Sequence, residues 1–225
     1  GVRGPLWIGA DEQTAGKGRS GRAWVSKQGN LYSTALLPLN KLDKTVPVLA
    51  LTIGLAVFDT VKLLSNGCIL PGLKWPNDIL WQGKKLGGIL VDIQGESQGG
   101  YTAIVGIGLN YQMNPDVSET INQPWVDVCS AYGGDMSRNV LAAKLLDNVL
   151  SLLHQYEARG LESYAQHWNY YDCYRDKKVR IISAGEYEEG IAKGISKTGE
   201  LLLLKPNGQM KRILSGEVSL RLSDH

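Results

Sequence analysis

The sequence predicts an α+β protein, with a mixed, mainly antiparallel sheet packed against helices and a small all-β unit after it. Three observations carry that prediction. An apolar run over residues 45–64 has the length of a helix. Two β-type runs, residues 86–93 and 101–109, are separated by a gap that favours an antiparallel hairpin. Beyond Asp176 the chain becomes a series of short β segments divided by glycine-containing turns. A chain of 225 residues holds one good-sized core and a small satellite, but not two large domains. The expected division is residues 1–175, with an incomplete N-terminal part, and residues 176–225.

Residues 5–13 (PLWIGADEQ) start apolar and end polar, as a core strand feeding a functional loop would. The loop is GKGRSGRAW, residues 16–24. Beyond it Leu31, Ser33 and Ala35 alternate with Tyr32, Thr34 and Leu36, a two-residue period that predicts a strand. Residues 45–64 read as a buried helix, apolar on nearly every face, with Asp59 and Lys62 only near its end. Its apolar stretch, residues 46–58, is interrupted by Pro47 and Gly54 and falls short of the roughly 20 residues that span a bilayer. Pro76 in LKWPND then forces a turn after a short strand. The hairpin follows. Residues 137–159 place Leu141, Leu145, Val149 and Leu152 or Leu153 at helical steps, a helix expected to cover one face of the sheet and stop at Gly160. A second helix is expected over residues 161–171. The β segments KKVRIISA, EYEEGIAKGIS, GELLLLKPNG and QMKRILSGEVSLRL make up the C-terminal unit.

Composition limits what the chain can do. Hydrophobic residues at 43% and charged ones at 20% exclude disorder and collagen-like repeats. A net charge of +2 makes no case for nucleic-acid or membrane-surface binding, so any basic chemistry is local. Cys68, Cys129 and Cys173 are scattered and never form a CxxC pair, which fits buried thiols in a reducing, cytoplasmic setting. The chain opens at Gly1 without a methionine, and upstream residues are expected.

Four short motifs carry the chemistry. GKGRSGRAW has the GxGxxG spacing of a dinucleotide cradle, but such a cradle needs a helix opening inside the motif and an acidic residue about 20 positions on. Neither is evident. Lys17, Arg19 and Arg22, with no anion among them, instead mark a loop that receives negative charge, and its glycines let main-chain N–H groups approach a ligand. The alternative is a solvated basic turn. KWPND, residues 74–78, fixes a tryptophan, an amide and a carboxylate around a proline, or is an ordinary turn with Trp75 in the core. In GKKLGG, residues 83–88, Lys85 stands before paired glycines, or is a solvated lysine on a hairpin. In GIGLN, residues 106–110, Asn110 reads a ligand edge or merely ends a strand. His154, His167 and His225 lie in no motif, and Asp11 and Glu12 have no role beyond solvation.

In this order and spacing, GKGRSGRAW, KWPND, KLGGIL and GIGLN closely resemble the biotin protein ligases, in the form without an N-terminal DNA-binding domain; the resemblance runs from about Trp7 to GEVSLR. It implies a class II synthetase-like catalytic fold followed by an SH3-like β-barrel. It also implies a cytoplasmic enzyme that uses biotin, ATP and Mg²⁺ to form biotinyl-5′-AMP and pyrophosphate. The biotinyl group then passes to a lysine of a biotin carboxyl carrier protein, as in acetyl-CoA carboxylase. The first step brings a carboxylate against an anionic phosphate, and two charges about 4 Å apart at a dielectric near 20 repel by roughly 4 kcal/mol. By resemblance, Lys17 and Arg19 close over the biotin carboxylate and phosphates and Lys85 approaches the reacting centre, offsetting that cost. Asn77 holds phosphate or metal, and Asp78 orients and deprotonates the incoming lysine. Gln13, Gly16, Gly18, Gly87 and Gly88 belong to the ligand pocket. Trp24 packs on adenine, or anchors the core, and Asn110 lies near adenine. No metal ligand is assigned. The flap is expected to be mobile until ligand arrives, since its glycines and like charges gain little from ordering.

The family's usual Ser-Thr segment upstream of the basic loop is absent from the residues before Gly16. A lipoate ligase of the same superfamily, or a biotin-binding module or repressor fragment without turnover, remains an alternative. A homodimer is compatible with the resemblance. A membrane or nucleic-acid partner is not expected.

Overall fold

The computed structural model describes residues 5–39, 45–96, 100–159, 162–183, 186–216 and 218–223. Its larger sheet is built from β1 (Leu6–Ala10), β2 (Leu31–Leu39), β3 (Gly72–Lys74), β4 (Asp78–Trp81), β5 (Lys84–Glu96) and β6 (Gly100–Leu109). The spatial order is β1-β2-β6-β5-β4-β3, and every neighbouring pair is antiparallel. The expected hairpin is β5–β6, in continuous register from Gly87↔Leu109 to Glu96↔Gly100.

Period-two alternation sorts each strand into two faces. Ala35, Val105, Ile107 and Ile89 are buried on one face, against α1 (Thr45–Leu64). Leu55, Ala56, Val57, Phe58 and Val61 of that helix are fully buried, because it lies between the sheet and α3 (Arg138–Arg159). Thr52 and Thr60, both buried, find acceptors within the helix: Thr52 donates to the Val48 carbonyl at 2.9 Å and Thr60 to that of Ala56 at 2.6 Å. Asn148 of α3 then donates to Thr60 at 2.8 Å. After Leu64 the chain passes through the left-handed region at Asn66 (φ 50°) and Gly67 (φ 79°), and the Gly67 N–H closes on the Lys62 carbonyl at 2.8 Å.

Several expectations are corrected. β1 is not a core strand: it pairs only with β2 at the edge of the sheet, and Leu6 and Ile8 are exposed. The helix over 138–159 packs on α1, so α1 covers the sheet and α3 forms a second helical layer. Amphipathic periodicity reports that a helix has a buried face, not what that face meets. Cys68 is exposed rather than buried, and Cys129 and Cys173 are half-buried. Asp11 is more than solvated, pairing with Arg138 of α3 at 2.7 Å. The short helix α2 (Val128–Tyr132), capped by the Asp127 side chain on the Ser130 N–H at 2.7 Å, is too brief to carry a periodic signal. Gly160 and His225 lie outside the described residues; His154 is exposed and His167 meets Phe58 and Tyr171 edge-on.

After α4 (Glu162–Tyr171) come β7 (Lys178–Ser183), β8 (Glu186–Ile195), β9 (Leu201–Leu204), β10 (Met210–Ile213) and β11 (Val218–Leu222), in the order β10-β9-β8-β7-β11. This second sheet is bonded to the first part of the chain. Asn169 of α4 exchanges hydrogen bonds with the Ile195 main chain at 3.0 and 2.6 Å, and the buried Trp75 indole N–H donates to the Gly199 carbonyl at 3.1 Å.

Candidate functional site

The sheet face away from α1 is open, and a cavity of about 300 Å³ lies against it. The basic loop forms one wall. It folds back on itself: the Trp24 N–H donates to the Gly16 carbonyl at 2.9 Å and the Gly18 N–H to that of Arg22 at 2.7 Å, with a single turn of 3-10 helix over Arg19–Gly21. No α-helix opens inside the motif, in line with the argument against a dinucleotide cradle. Gly16 sits at the base of the loop, where an added Cβ would stand 2.3 Å from the Ser26 hydroxyl and 2.4 Å from the Trp24 carbonyl. The Ser26 hydroxyl in turn donates to Gln13 at 2.7 Å.

The Trp24 ring is half-buried and lies across Gly88 and Gly108, which face each other on β5 and β6. A Cβ on Gly108 would come within 2.8 Å of the indole, so this contact requires glycine. The Lys85 ammonium stands 5.1 Å from the ring centroid, and the Trp24 indole nitrogen is buried without a hydrogen-bond partner. Trp24 and Lys85 together line both this cavity and a neighbouring one of about 400 Å³, which also takes in Asn110, Asn122, Gln123, Trp125 and Arg221.

A β-bulge explains how Lys85 reaches the site. Leu80 of β4 pairs with Lys85 while Ile79 pairs with Gly87, which leaves Leu86 as the extra residue on β5. The inserted residue sends Leu86 into the core, fully buried, and turns Lys85 onto the face that carries Asp78. Without it Lys85 would lie opposite Trp81 and face the other side.

Asp78 is the electrostatic centre of the site. Its Oδ1 is 2.6 Å from the Lys85 ammonium and its Oδ2 is 3.0 Å from that of Lys74, which is itself buried. Burial pushes the Asp78 carboxyl up, but the two cations outweigh it and hold the group at about 2. Burial lowers the Lys74 ammonium, an effect that Asp78 partly offsets. Next to it, Asn77 locks the KWPND turn to β5: its main-chain carbonyl accepts from the Ile89 N–H at 3.0 Å, and its side-chain amide donates to the Ile89 carbonyl at 2.7 Å. The Asn77 side-chain oxygen accepts from Arg19 at 3.3 Å. Arg19 also donates to the carbonyls of Ser215 and Gly216 in the β10–β11 turn, and burial, with Arg22 nearby, lowers its guanidinium.

The structure therefore brings together Gln13, Gly16, Lys17, Gly18, Arg19, Trp24, Asn77, Asp78, Lys85 and Gly88 around one cavity. Gly87 stands apart on the opposite face of β5, against the carbonyl of Gly108. Asn110 lines only the second cavity, and its amide already donates to the carbonyls of Lys85 and Val126 at 3.1 Å each. That use fits its strand-ending alternative. Sequence reasoning missed Lys74, although it stands inside KWPND, and also Ser33, Thr34 and Gln123 in the cavity wall. Alternation in β2 offered a signal for Thr34; Gln123 belongs to an irregular segment with none.

Fold and cavity define an α+β protein with a cavity lined by Lys17, Arg19, Arg22 and Lys85 on the open face of an antiparallel sheet. Residues 3–110 match the model of the Biotin/lipoate A/B protein ligase family and residues 176–221 that of the Biotin protein ligase C terminal domain. The chain is 30% identical over 201 residues to the biotin--[acetyl-CoA-carboxylase] ligase of Mycobacterium tuberculosis, covering 86% of this chain and 71% of that protein. The chain belongs to the biotin protein ligase family. The bifunctional ligase/repressor BirA of Salmonella typhimurium is 35% identical over 216 residues, 96% of this chain. The chain spans 66% of that relative's length. The solved structure of the biotin protein ligase from Aquifex aeolicus in complex with biotin and ATP matches with a TM-score of 0.86 and 30% identity, over 99% of this chain and 91% of that one. The second sheet is accordingly the SH3-like unit of this fold.

Proposed function

We propose that the chain is an ATP-dependent biotin--protein ligase working in two steps, with residues 1–175 as its catalytic unit and 176–225 as its small β unit. In the first step a biotin carboxylate oxygen bonds to the α-phosphorus of ATP and pyrophosphate leaves. In the second, the amine of a carrier lysine attacks the acyl carbon, AMP leaves, and the ammonium proton is lost. The observation that carries this reading is the convergence of Arg19 and Lys85 on the Asn77–Asp78 turn at one cavity, since two anions must be held together there. Lys85 is tied to Asp78, so it can exchange that carboxylate for the ligand's anions without crossing the cavity. Arg19 offers a planar fork suited to phosphate, with Lys17 on the cavity wall beside it.

Gln13, Gly16, Gly18 and Gly88 would form the pocket around biotin, Trp24 would stack on adenine, and Gly87 and Asn110 would support the pocket from the strand ends. Magnesium would arrive with the triphosphate and neutralise it. Among the described residues no group of three His, Cys, Asp or Glu side chains could hold a metal, and Asn77 offers a single side-chain oxygen. A carrier lysine of pKa about 10.4 is neutral at only about 0.04% at pH 7, which costs about 4.6 kcal/mol. Asp78 would draw in and orient the incoming ammonium and relay its proton toward solvent, offsetting that cost through positioning rather than basicity, since a carboxyl held at about 2 retains a proton poorly. The carrier would be a biotin carboxyl carrier protein. Among the described residues no helix is long and apolar enough to cross a membrane, and we place the reaction in the cytoplasm.

The test is pyrophosphate release from MgATP with biotin or lipoate as the only acid, followed by label transfer to a carrier domain. Release and transfer with biotin are expected. Turnover with lipoate alone would favour the sister activity, and binding without release would reduce the chain to a binding module.

A further inference from the structure

Two cations hold Asp78, and they are not equivalent. Lys85 comes from β5 and lines both cavities. Lys74 lines neither. It lies on β3 in direct register with Asp78 on β4, is 7% exposed, and stands 5.5 Å from the centroid of the Tyr174 ring, which closes it off from behind. One carboxylate oxygen therefore faces the reaction space through Lys85, while the other is pinned from the protein side by Lys74 at 3.0 Å.

We infer that Lys74 is a positioning residue for acyl transfer: it holds the Asp78 carboxylate ionised, with Oδ1 aimed at the cavity, after Lys85 has moved to the ligand. The inference rests on the ligase reading above and deepens it. When Lys85 shifts to the phosphate, Oδ1 is freed to receive the carrier's ammonium. Burial alone would then favour a neutral Asp78, which could not attract and orient that ammonium. Lys74 remains in place because, among the described residues, Asp78 is the one carboxylate it pairs with and the Tyr174 ring lies over its ammonium. The other charged or titratable groups facing the pair are Lys85, Arg19 in the flap, Arg221 on β11, and Cys173 and Tyr174 after α4. None of them bonds to Oδ2.

The test is single-turnover transfer from preformed biotinyl-5′-AMP to a carrier domain in four proteins: wild type, Lys74→Met, Asp78→Asn and the double variant. Lys74→Met is expected to slow transfer by roughly 10- to 100-fold, with the KM values for biotin and ATP in pyrophosphate exchange near wild type. In the Asp78→Asn background it should cost nothing more, because Lys74 acts only through that carboxylate. Lys74→Arg should recover part of the loss and keep the pH profile of transfer near wild type. An equal slowing in both backgrounds, no slowing in wild type, or an Arg variant as slow as Met would overturn the inference. If Lys74→Met does not fold, the double variant, which removes both buried charges, still decides: transfer slower than Asp78→Asn alone refutes the positioning role. Wild-type pyrophosphate exchange with biotin separates the two readings, since its absence would sink the ligase assignment itself.

Discussion

Asp78 and Asp172 are both carboxylates close to KWPND, and their surroundings drive them in opposite directions. Asp78 faces two ammonium groups and is held at about 2. Asp172 is 8% exposed and its Oδ1 accepts the Tyr174 N–H at 2.9 Å, while its Oδ2 has no partner. Burial pushes that carboxyl up to about 6, against an ordinary value of 3.8. The folded chain thus binds the Asp172 proton more tightly than the unfolded one. Its stabilising contribution is complete below about pH 4 and is lost as pH rises through about 6. Asp78 behaves inversely, contributing above 3.8 and losing that contribution as pH falls toward about 2. Relative to Asp172→Asn, the wild type should lose on the order of 2–3 kcal/mol of stability between pH 4 and pH 7. Urea denaturation at both pH values measures this, and identical pH dependence in the two proteins would contradict the assigned cause. Asp78 and Lys85 could be picked out from sequence because each stands in a motif. The pairing of Lys74 with Asp78 could not, since an i,i+4 spacing across a turn says nothing about which side chains meet.

Among the elements, the glycines of β5 and β6 and the loop that crosses them act as one unit. Trp24 reaches its place because Gly88 and Gly108 leave the sheet surface bare, and because Gly16 lets the loop close on itself. Gly108→Val should push the indole off the sheet and cost about 1–3 kcal/mol of stability. In a Trp24→Ala background most of that cost should vanish, because the clash has lost its partner. Thermal melts of the four proteins measure the difference, and an undiminished cost would place the strain elsewhere. The bulge at Leu86 has the same character. KKLGG reads as a strand, but which residue is the extra one depends on the register with β4, set by side chains of both strands.

Across the whole molecule, the C-terminal sheet is part of the site's framework. One of its turns accepts the Trp75 indole N–H at Gly199, and another accepts the Arg19 guanidinium at Ser215 and Gly216. The flap and the KWPND turn are both fastened to it. Arg19→Ala should therefore speed amide hydrogen exchange in the β10–β11 turn, and biotin with MgATP should do the same in wild type if the ligand draws Arg19 away. Unaltered exchange in the variant would mean that the turn is held by other contacts.

β4 and α2 are too short to carry a period, but local sequence was enough for the buried helix over 45–64, the β5–β6 hairpin, the late change to β structure and the basic flap. Each is written in local periodicity or in a short contiguous motif, where neighbouring residues carry the whole signal. It took the folded chain to make β1 an edge, rest α3 on α1, stand Lys74 behind Asp78 and hold Arg19 by a turn 196 positions away. Those outcomes depend on distances through space between segments remote in the chain, and a charge finds its partner there rather than along the backbone.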